Sequence, residues 1–125
     1  NGRQAARQRA PAAGVPLLMK TISAPTLAQW LQDSDRPAPQ LLDVREPWEY
    51  QICSIAGSRL LPMRTLPGQL GELDAAQPIV CICHHGNRSA HVAMWLWRQG
   101  FADVYNLSGG VDAWARQVDP KMATY

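Results

Sequence analysis

The residues with the clearest potential for chemistry lie together in the segment CICHHGNRSA, from Cys81 to Ala90. Cysteine thiolates act as nucleophiles and metal ligands, and imidazoles bind metals and move protons. Three interpretations compete for this segment: a metal site, a reactive thiol in a loop, and a core strand that happens to contain cysteine. The choice between these interpretations depends on the strands and helices that position the residues.

A zinc site is the first alternative for Cys81, Cys83, His84 and His85. Structural zinc usually takes cysteines separated by two to four residues, together with a second ligand pair further along the chain. Cys-x-Cys-His-His has a different spacing, and the sequence contains no second cluster of this kind. We therefore expect no metal and no other cofactor. Cys81 lies inside an apolar run and is expected to belong to the core.

Composition narrows the class of protein. The chain of 125 residues suits one domain with a buried core, and its formal net charge of +2 gives no argument for nucleic-acid binding. The apolar run VPLLM is too short to span a membrane. Three cysteines, an odd number, do not indicate a disulfide framework. We expect a cytoplasmic protein with reduced thiols and with neither nucleic-acid nor membrane partners.

The hydrophobic pattern predicts an α/β fold. Residues 1–19 are rich in Ala, Arg, Gln, Pro and Gly and are interpreted as a flexible tail or linker remnant, which leaves residues 20–125 as the domain. Strands are predicted at 20–23, 40–44, 58–62, 78–83 and 103–107. Helices are predicted at 24–32, 46–52, 88–99 and 109–117, with a short helix after residue 65. This alternation with short connections indicates a parallel sheet covered by helices.

The helix predicted at 88–99 follows directly from the cysteine segment. Ala90, Ala93, Met94 and Trp97 fall at i, i+3, i+4 and i+7, so this face is expected to be buried. The preceding run PIVCIC is apolar at successive positions, as in a strand buried on both faces. Because ligands bind beyond the carboxyl ends of the strands in such sheets, the loop after this strand is the expected site.

Cys83 ends this predicted strand, and the loop His84-His85-Gly86-Asn87 leads into the helix. Gly86 can adopt a positive φ, which lets loop N–H groups turn inward as a nest, and the helix start adds partial positive charge. Such surroundings favour a thiolate over a thiol. They also stabilise a negative charge one atom further out, as on a persulfide.

The loop from Cys83 to Ser89 resembles the active-site loop of the rhodanese family, Cys-x-x-Gly-x-Arg-Ser. LLDVREPWEY (41–50) resembles the family's first signature and YNLSGGVDAW (105–114) its second. The segment SIAGS departs from the family's His-Ile-Pro-Gly turn. The resemblance implies a rhodanese-like α/β fold, with a five-stranded parallel sheet flanked by helices on both faces.

The resemblance also implies an activity, that of a thiosulfate or persulfide sulfurtransferase. Cys83 would take a sulfane sulfur from a small-molecule or protein-borne donor and become a persulfide. It would then pass the sulfur to a thiophilic acceptor, which in some cases is a protein. A rhodanese-like module that only binds or regulates stays open as an alternative.

Loop length bears on a third alternative, a phosphatase of the cell-cycle dual-specificity type. Those enzymes resemble Cys-x5-Arg, whereas four residues lie between Cys83 and Arg88. The shorter loop makes a smaller cradle, which suits a sulfur bonded to the nucleophile better than a phosphoryl group. Sulfur transfer is therefore favoured over phosphate hydrolysis.

Residues around Cys83 are expected to bind substrate. These residues are His84, His85, Gly86, Asn87, Arg88, Ser89 and Arg45. The histidine side chains are expected at the mouth of the pocket, with their N–H groups turned to the ligand. Neutral imidazoles attract an anion less than Arg or Lys does, so we expect weak use of free thiosulfate.

Arg88 has two candidate roles. It either faces the pocket or braces the loop by pairing with Glu46 or Asp43, and the Asp-Val-Arg segment favours bracing. Arg45 similarly either reaches the site or forms an ion pair. Asp43 and Glu46 are therefore expected to support the loop, and Ser89 to cap the helix or to donate to the sulfur.

Overall fold

A computed structural model describes residues 19–125. Its five strands form one parallel sheet in the order β1-β5-β4-β2-β3. The strands are β1 Lys20–Ile22, β2 Gln40–Asp43, β3 Arg59–Leu60, β4 Ile79–Ile82 and β5 Val104–Leu107. The tail predicted for residues 1–19 lies, up to residue 18, outside the described residues.

Helices connect the strands, as the alternating pattern predicts. They are α1 Ala24–Gln32, α2 Pro47–Ile52, α3 Asn87–Arg98 and α4 Gly110–Gln117, and a 3-10 helix spans Leu66–Glu72. Pro47 at the first position of α2 has the φ that a helix start needs, and it has no backbone N–H that would lack a hydrogen-bond partner there. None of the helices in the described part of the chain combines the length and the apolar character needed to cross a membrane.

The central strand β4 divides the core into two layers. Ile79 and Cys81 pack with residues of α3, whereas Val80 and Ile82 pack with residues of α1 and α4. Alternation along a strand sends successive side chains to opposite faces, and here both faces are covered. The prediction of a five-stranded parallel sheet with helices on both faces is confirmed. Cys81 is a core residue, and burial raises the pKa of its thiol.

Helix α3 buries a different face from the one predicted. Its buried residues are Ser89, Val92, Ala93 and Leu96. Ala90, Met94 and Trp97 are only partly buried. The buried stripe has the same i, i+3, i+4, i+7 spacing, but it begins with the polar residue Ser89. A pattern of apolar residues therefore predicted the stripe that begins one residue later, at Ala90. The Ser89 hydroxyl is satisfied inside the protein, which makes its burial possible.

Candidate active site

Cys83 directly follows the central strand, at the carboxyl edge of the sheet, and is 1% exposed. Two backbone N–H groups point to its Sγ, that of Gly86 at 3.1 Å and that of Ser89 at 3.3 Å. The Ser89 hydroxyl lies 3.2 Å from the same atom. These donors make a small nest around the sulfur, which stabilises negative charge on it.

Gly86 gives the loop its inward turn, with a φ of +104° that confirms the expected positive value. The side chain of Asn106 fixes this turn, because its Nδ2 donates to the Gly86 carbonyl at 3.0 Å. Its Oδ1 accepts from the Ser89 hydroxyl and so competes with the sulfur for the single hydroxyl proton. A thiolate is a stronger acceptor than a thiol, so a charged Cys83 draws that proton toward itself.

Asn106 was absent from the residues predicted at the site. Its signal in the sequence is a polar residue at a buried position of β5, inside the otherwise apolar segment VYNL. A buried amide needs hydrogen-bond partners, and here the partners belong to the active-site loop.

The start of α4 closes the loop from the other side. The N–H of Val111 donates to the Cys83 carbonyl at 2.9 Å, and that of Asp112 to the His84 carbonyl at 3.1 Å. The backbones come this close because Gly110 has no side chain: a Cβ at this position would collide with the carbonyls of Cys83 and His84. Gly110 also has a φ of +60°, which side chains of L-residues rarely adopt.

We expect Gly110→Ala to lower the free energy of unfolding by about 2 kcal/mol or more, since it adds both backbone strain and a collision. Gly68→Ala is the matched control, because a Cβ on Gly68 meets nothing within 4 Å. Urea unfolding of the two variants checks the prediction. Equal midpoints for both variants would contradict it.

Arg88 braces the loop rather than leaving its guanidinium free. Its Nη1 and Nη2 bind the two carboxylate oxygens of Glu49 at 2.7 and 2.8 Å. The prediction of Glu46 or Asp43 as the partner is wrong. Glu46 pairs instead with Arg64, and Asp43 pairs with Arg45. One helical turn separates Glu46 from Glu49, and α2 turns the later residue inward.

The carboxylate of Glu49 stays ionised well below neutral pH. Hydrogen bonds from the Arg88 guanidinium lower the pKa of Glu49 to about 2, against the opposing effect of burial. The sequence marked Glu49 only as part of the signature-like segment, because a helix six residues long gives too little periodicity to show which side is buried.

Arg45 is fully buried and pairs with protein groups, so its guanidinium is not available to a substrate. Its side chain is 0% exposed, and its Nη2 lies 2.7 Å from Oδ2 of Asp43, which is itself buried. Nη2 also donates to the Cys53 carbonyl at 2.7 Å. The expectation that Arg45 binds substrate is therefore corrected: this arginine and Asp43 fix the corner between β2 and α2.

A row of four rings borders the loop. His84 stacks on Tyr125 with ring centroids 3.8 Å apart and planes 7° apart, and His85 follows at 3.9 Å and 31°. Trp48, which is 60% exposed, meets Tyr125 in an edge-to-face arrangement with ring centroids 5.9 Å apart. Burial and the neighbouring His85 lower the pKa of His84, so its imidazole is neutral at pH 7. Asn87 is exposed at the start of α3.

His84, His85 and Asp112 are the side chains of the described chain that could hold a metal ion, with one ligand atom from each lying within 4.8 Å of the others. Of these groups, the Asp112 carboxylate has a charged partner, whereas Nε2 of His84 is buried without a hydrogen-bond partner. The imidazole of His84 lies between the rings of Tyr125 and His85, and the Asp112 carboxylate pairs with Arg116 at 3.0 Å. Separately from these side chains, the loop surrounds Sγ of Cys83 with hydrogen-bond donors.

The sequence of this chain is similar to those of known proteins. Residues 24–117 match the family model of the rhodanese-like domain. The thiosulfate sulfurtransferase GlpE of Pseudomonas paraeruginosa is 36% identical over 97 residues, which cover 78% of this chain and 84% of that protein. The rhodanese-like/PpiC domain-containing protein 12, chloroplastic, of Arabidopsis thaliana is 41% identical over 90 residues. That match covers 69% of this chain but only 30% of the Arabidopsis protein.

Solved structures agree with the sequence comparisons. The crystal structure of a rhodanese-like domain protein from Staphylococcus aureus has a TM-score of 0.73 and 32% sequence identity, and the match covers 86% of this chain and 99% of that one. A rhodanese-related protein from Thermoplasma volcanium gives a TM-score of 0.71 at 31% identity, with coverage of 79% and 93%.

Proposed function

Because this chain belongs to the rhodanese-like domain family, we propose that it is a sulfurtransferase in which Cys83 carries the sulfur between donor and acceptor. The observation that carries the proposal is the convergence of Gly86 and Ser89 donors on the buried Sγ of Cys83. The thiosulfate sulfurtransferase name of relatives about as long as this chain supports the same class of reaction.

The reaction proceeds in two displacements at sulfur. The Cys83 thiolate attacks the outer sulfur of the donor, a new S–S bond forms, and the donor fragment leaves with the electron pair of the bond that breaks. An acceptor thiolate then attacks the outer sulfur of the persulfide, and Cys83 leaves as a thiolate. The N–H groups of Gly86 and Ser89 stabilise the negative charge before and after each step.

The charges around the loop favour a persulfide donor, on a small molecule or on a protein, over free thiosulfate. Arginines whose partners contact the loop or its supports each pair with a carboxylate: Arg45 with Asp43, Arg88 with Glu49 and Arg116 with Asp112. His84 is neutral at pH 7. A dianion such as thiosulfate therefore gains little attraction beside the loop, whereas a persulfide of low charge needs none.

We expect both donors to load the protein with one sulfur, a mass gain of about 32 Da that cyanide removes, but thiosulfate to require millimolar or higher concentrations. Intact-mass spectrometry and initial rates over a range of concentrations measure this with thiosulfate and with a low-molecular-weight persulfide. A Michaelis constant for thiosulfate well below millimolar would contradict the proposed donor preference. A protein that gains no mass with thiosulfate and none with the persulfide would contradict sulfur transfer itself.

The pairing of Arg88 also speaks against phosphate hydrolysis. A phosphatase loop needs an arginine to contact the equatorial oxygens of the phosphoryl group, but here the guanidinium is held by both oxygens of Glu49. Four residues between Cys83 and Arg88 shorten the cradle further. Clear turnover of an arylphosphate would overturn the preference for sulfur transfer.

A further inference from the structure

Tyr125 contacts the active site through both parts of its side chain. Its hydroxyl donates to Oε2 of Glu49 at 2.8 Å and accepts from Nη1 of Arg45 at 2.9 Å. The face of its ring stacks on His84. A phenol hydroxyl that donates its only proton to a carboxylate and accepts from a guanidinium is held from two directions, so these contacts define one position for the ring.

The segment after α4 brings Tyr125 to this place. The N–H groups of Val118 and Asp119 bind the Trp114 carbonyl at 2.8 and 2.9 Å, and the Met122 N–H binds the Asp119 carbonyl at 3.0 Å. Val118, Met122 and Tyr125 then pack on the core layer of α1 and α4. The ring is thus held from behind as well as by its polar contacts.

Both ends of the reactive loop depend on this one side chain. The stacking contact holds His84, the first residue after Cys83. The hydroxyl holds Glu49, which in turn binds both guanidinium nitrogens of Arg88 at the far end of the loop. Burial raises the pKa of Tyr125 to about 12, so the hydroxyl remains a donor throughout the neutral range.

The groups between these two anchors are the ones that reach the sulfur. Gly86 and Ser89 place their N–H groups 3.1 and 3.3 Å from Sγ, distances at which small shifts of the loop weaken the contact. A displacement of about 1 Å is enough to reduce a catalysed rate by up to about a hundredfold. The position of the loop therefore decides how reactive Cys83 is.

We propose that Tyr125 is a positioning residue, which sets the donor geometry around Cys83 by clamping His84 and by joining Arg45 to Glu49. The inference rests on the proposed role of Cys83 as the sulfur carrier. It extends the site to a residue beyond the two signature-like segments and the cysteine loop, one that contacts neither the sulfur nor its donors directly.

Three variants separate the two contacts. Tyr125→Phe keeps the ring and removes both hydroxyl hydrogen bonds, whereas Tyr125→Leu removes the stacked ring as well. Tyr50→Phe is the matched control: it removes a phenol on α2, the helix that carries Glu49, and the hydroxyl of Tyr50 binds the Ser58 carbonyl at 2.8 Å.

Two measurements follow the reactivity of Cys83 independently. One is the rate constant for its alkylation by iodoacetamide at fixed pH, with the modified peptide identified by mass spectrometry. The other is the separation of kcat from KM in sulfur transfer from a persulfide. We expect alkylation and kcat to fall about threefold in Tyr125→Phe and about tenfold or more in Tyr125→Leu, with little change in KM for the Phe variant. Tyr50→Phe should match the unchanged protein.

Three results would overturn one of the proposals. Alkylation and kcat equal to those of the unchanged protein in both Tyr125 variants would overturn the proposed role of Tyr125. A lower unfolding midpoint in Tyr125→Phe with unchanged alkylation and kcat would also overturn it, because the residue would then act on stability alone. An unchanged protein that is alkylated but transfers no sulfur would refute the proposed function, and the alkylation rates would still decide the role of Tyr125.

Discussion

Replacing Cys83 with serine is expected to abolish sulfur loading and to reduce sulfur transfer by a factor on the order of 10³ or more. The serine hydroxyl would occupy nearly the same place and could accept from Gly86 and Ser89. It ionises far less readily than a thiol, however, and it is a poor nucleophile toward sulfur. Intact-mass spectrometry after incubation with a persulfide, together with steady-state rates, measures both effects.

Cys81→Ala is the control for this substitution. Cys81 lies two residues earlier, is fully buried and faces the α3 layer, so its removal tests the loss of a neighbouring thiol without touching the loop. The alanine variant should still gain about 32 Da, the mass of one sulfur atom. Loading that persists in Cys83→Ser but disappears in Cys81→Ala would show that Cys81 carries the sulfur, and it would refute the proposed mechanism.

The second large effect is expected from Glu49→Gln, and it concerns stability. The Arg88 guanidinium holds the pKa of Glu49 at about 2, below its ordinary value of 4.5. A carboxylate with a lowered folded-state pKa stabilises the fold above its unfolded pKa, and this contribution is lost as the pH falls from 4.5 toward 2. At about 1.4 kcal/mol per pKa unit, the contribution is about 3 kcal/mol at pH 7, reduced to about 2 by the partial exposure of Arg88.

Glutamine keeps the shape of the side chain but not its charge, so Glu49→Gln should lose about 2 kcal/mol at pH 7. Urea unfolding at several values between pH 7 and pH 2 measures the gap to the unchanged protein, which should close as Glu49 becomes protonated. Glu72→Gln is the control. Its ion pair with Arg59 is exposed, with 54% and 43% of the two side chains accessible, and should cost less than 1 kcal/mol. A gap for Glu49→Gln that stays constant down to pH 2 would contradict the assignment.

The two effects act on different parts of one arrangement. In the proposed reaction Cys83 supplies the reacting atom, whereas Glu49 holds Arg88, Tyr125 and its own helix in place. A variant of Glu49 is therefore expected to lose stability first and reactivity second, as the loop becomes less well positioned. Gly110 contributes in a third way, because its missing side chain allows α4 to approach the carbonyls of the loop.

Local features of the sequence determined most of the fold and the centre of the site. Runs of apolar residues with period two or with none give strands, those with helical period give helices, and their alternation gives a parallel sheet. Cys83 follows the most continuously apolar run, and a residue at the end of a buried central strand lies at the ligand-binding edge. The glycine three residues later and the four-residue interval to Arg88 are equally local, and they match the rhodanese-family loop whose resemblance implies a sulfur site.

Only the tertiary structure decided which distant side chains meet at this loop. Arg88 could have paired with any nearby carboxylate, and the turn of a short helix selected Glu49 over Glu46. The burial of Ser89 depended on two partners from other elements, Cys83 directly after β4 and Asn106 in β5. Tyr125 reached Arg45 and Glu49 because the chain after α4 packs on the core layer of α1 and α4, a path set by packing rather than by any local pattern. Periodicity reports which way a side chain faces within its own element, but the identity of its neighbour depends on where the other elements pack.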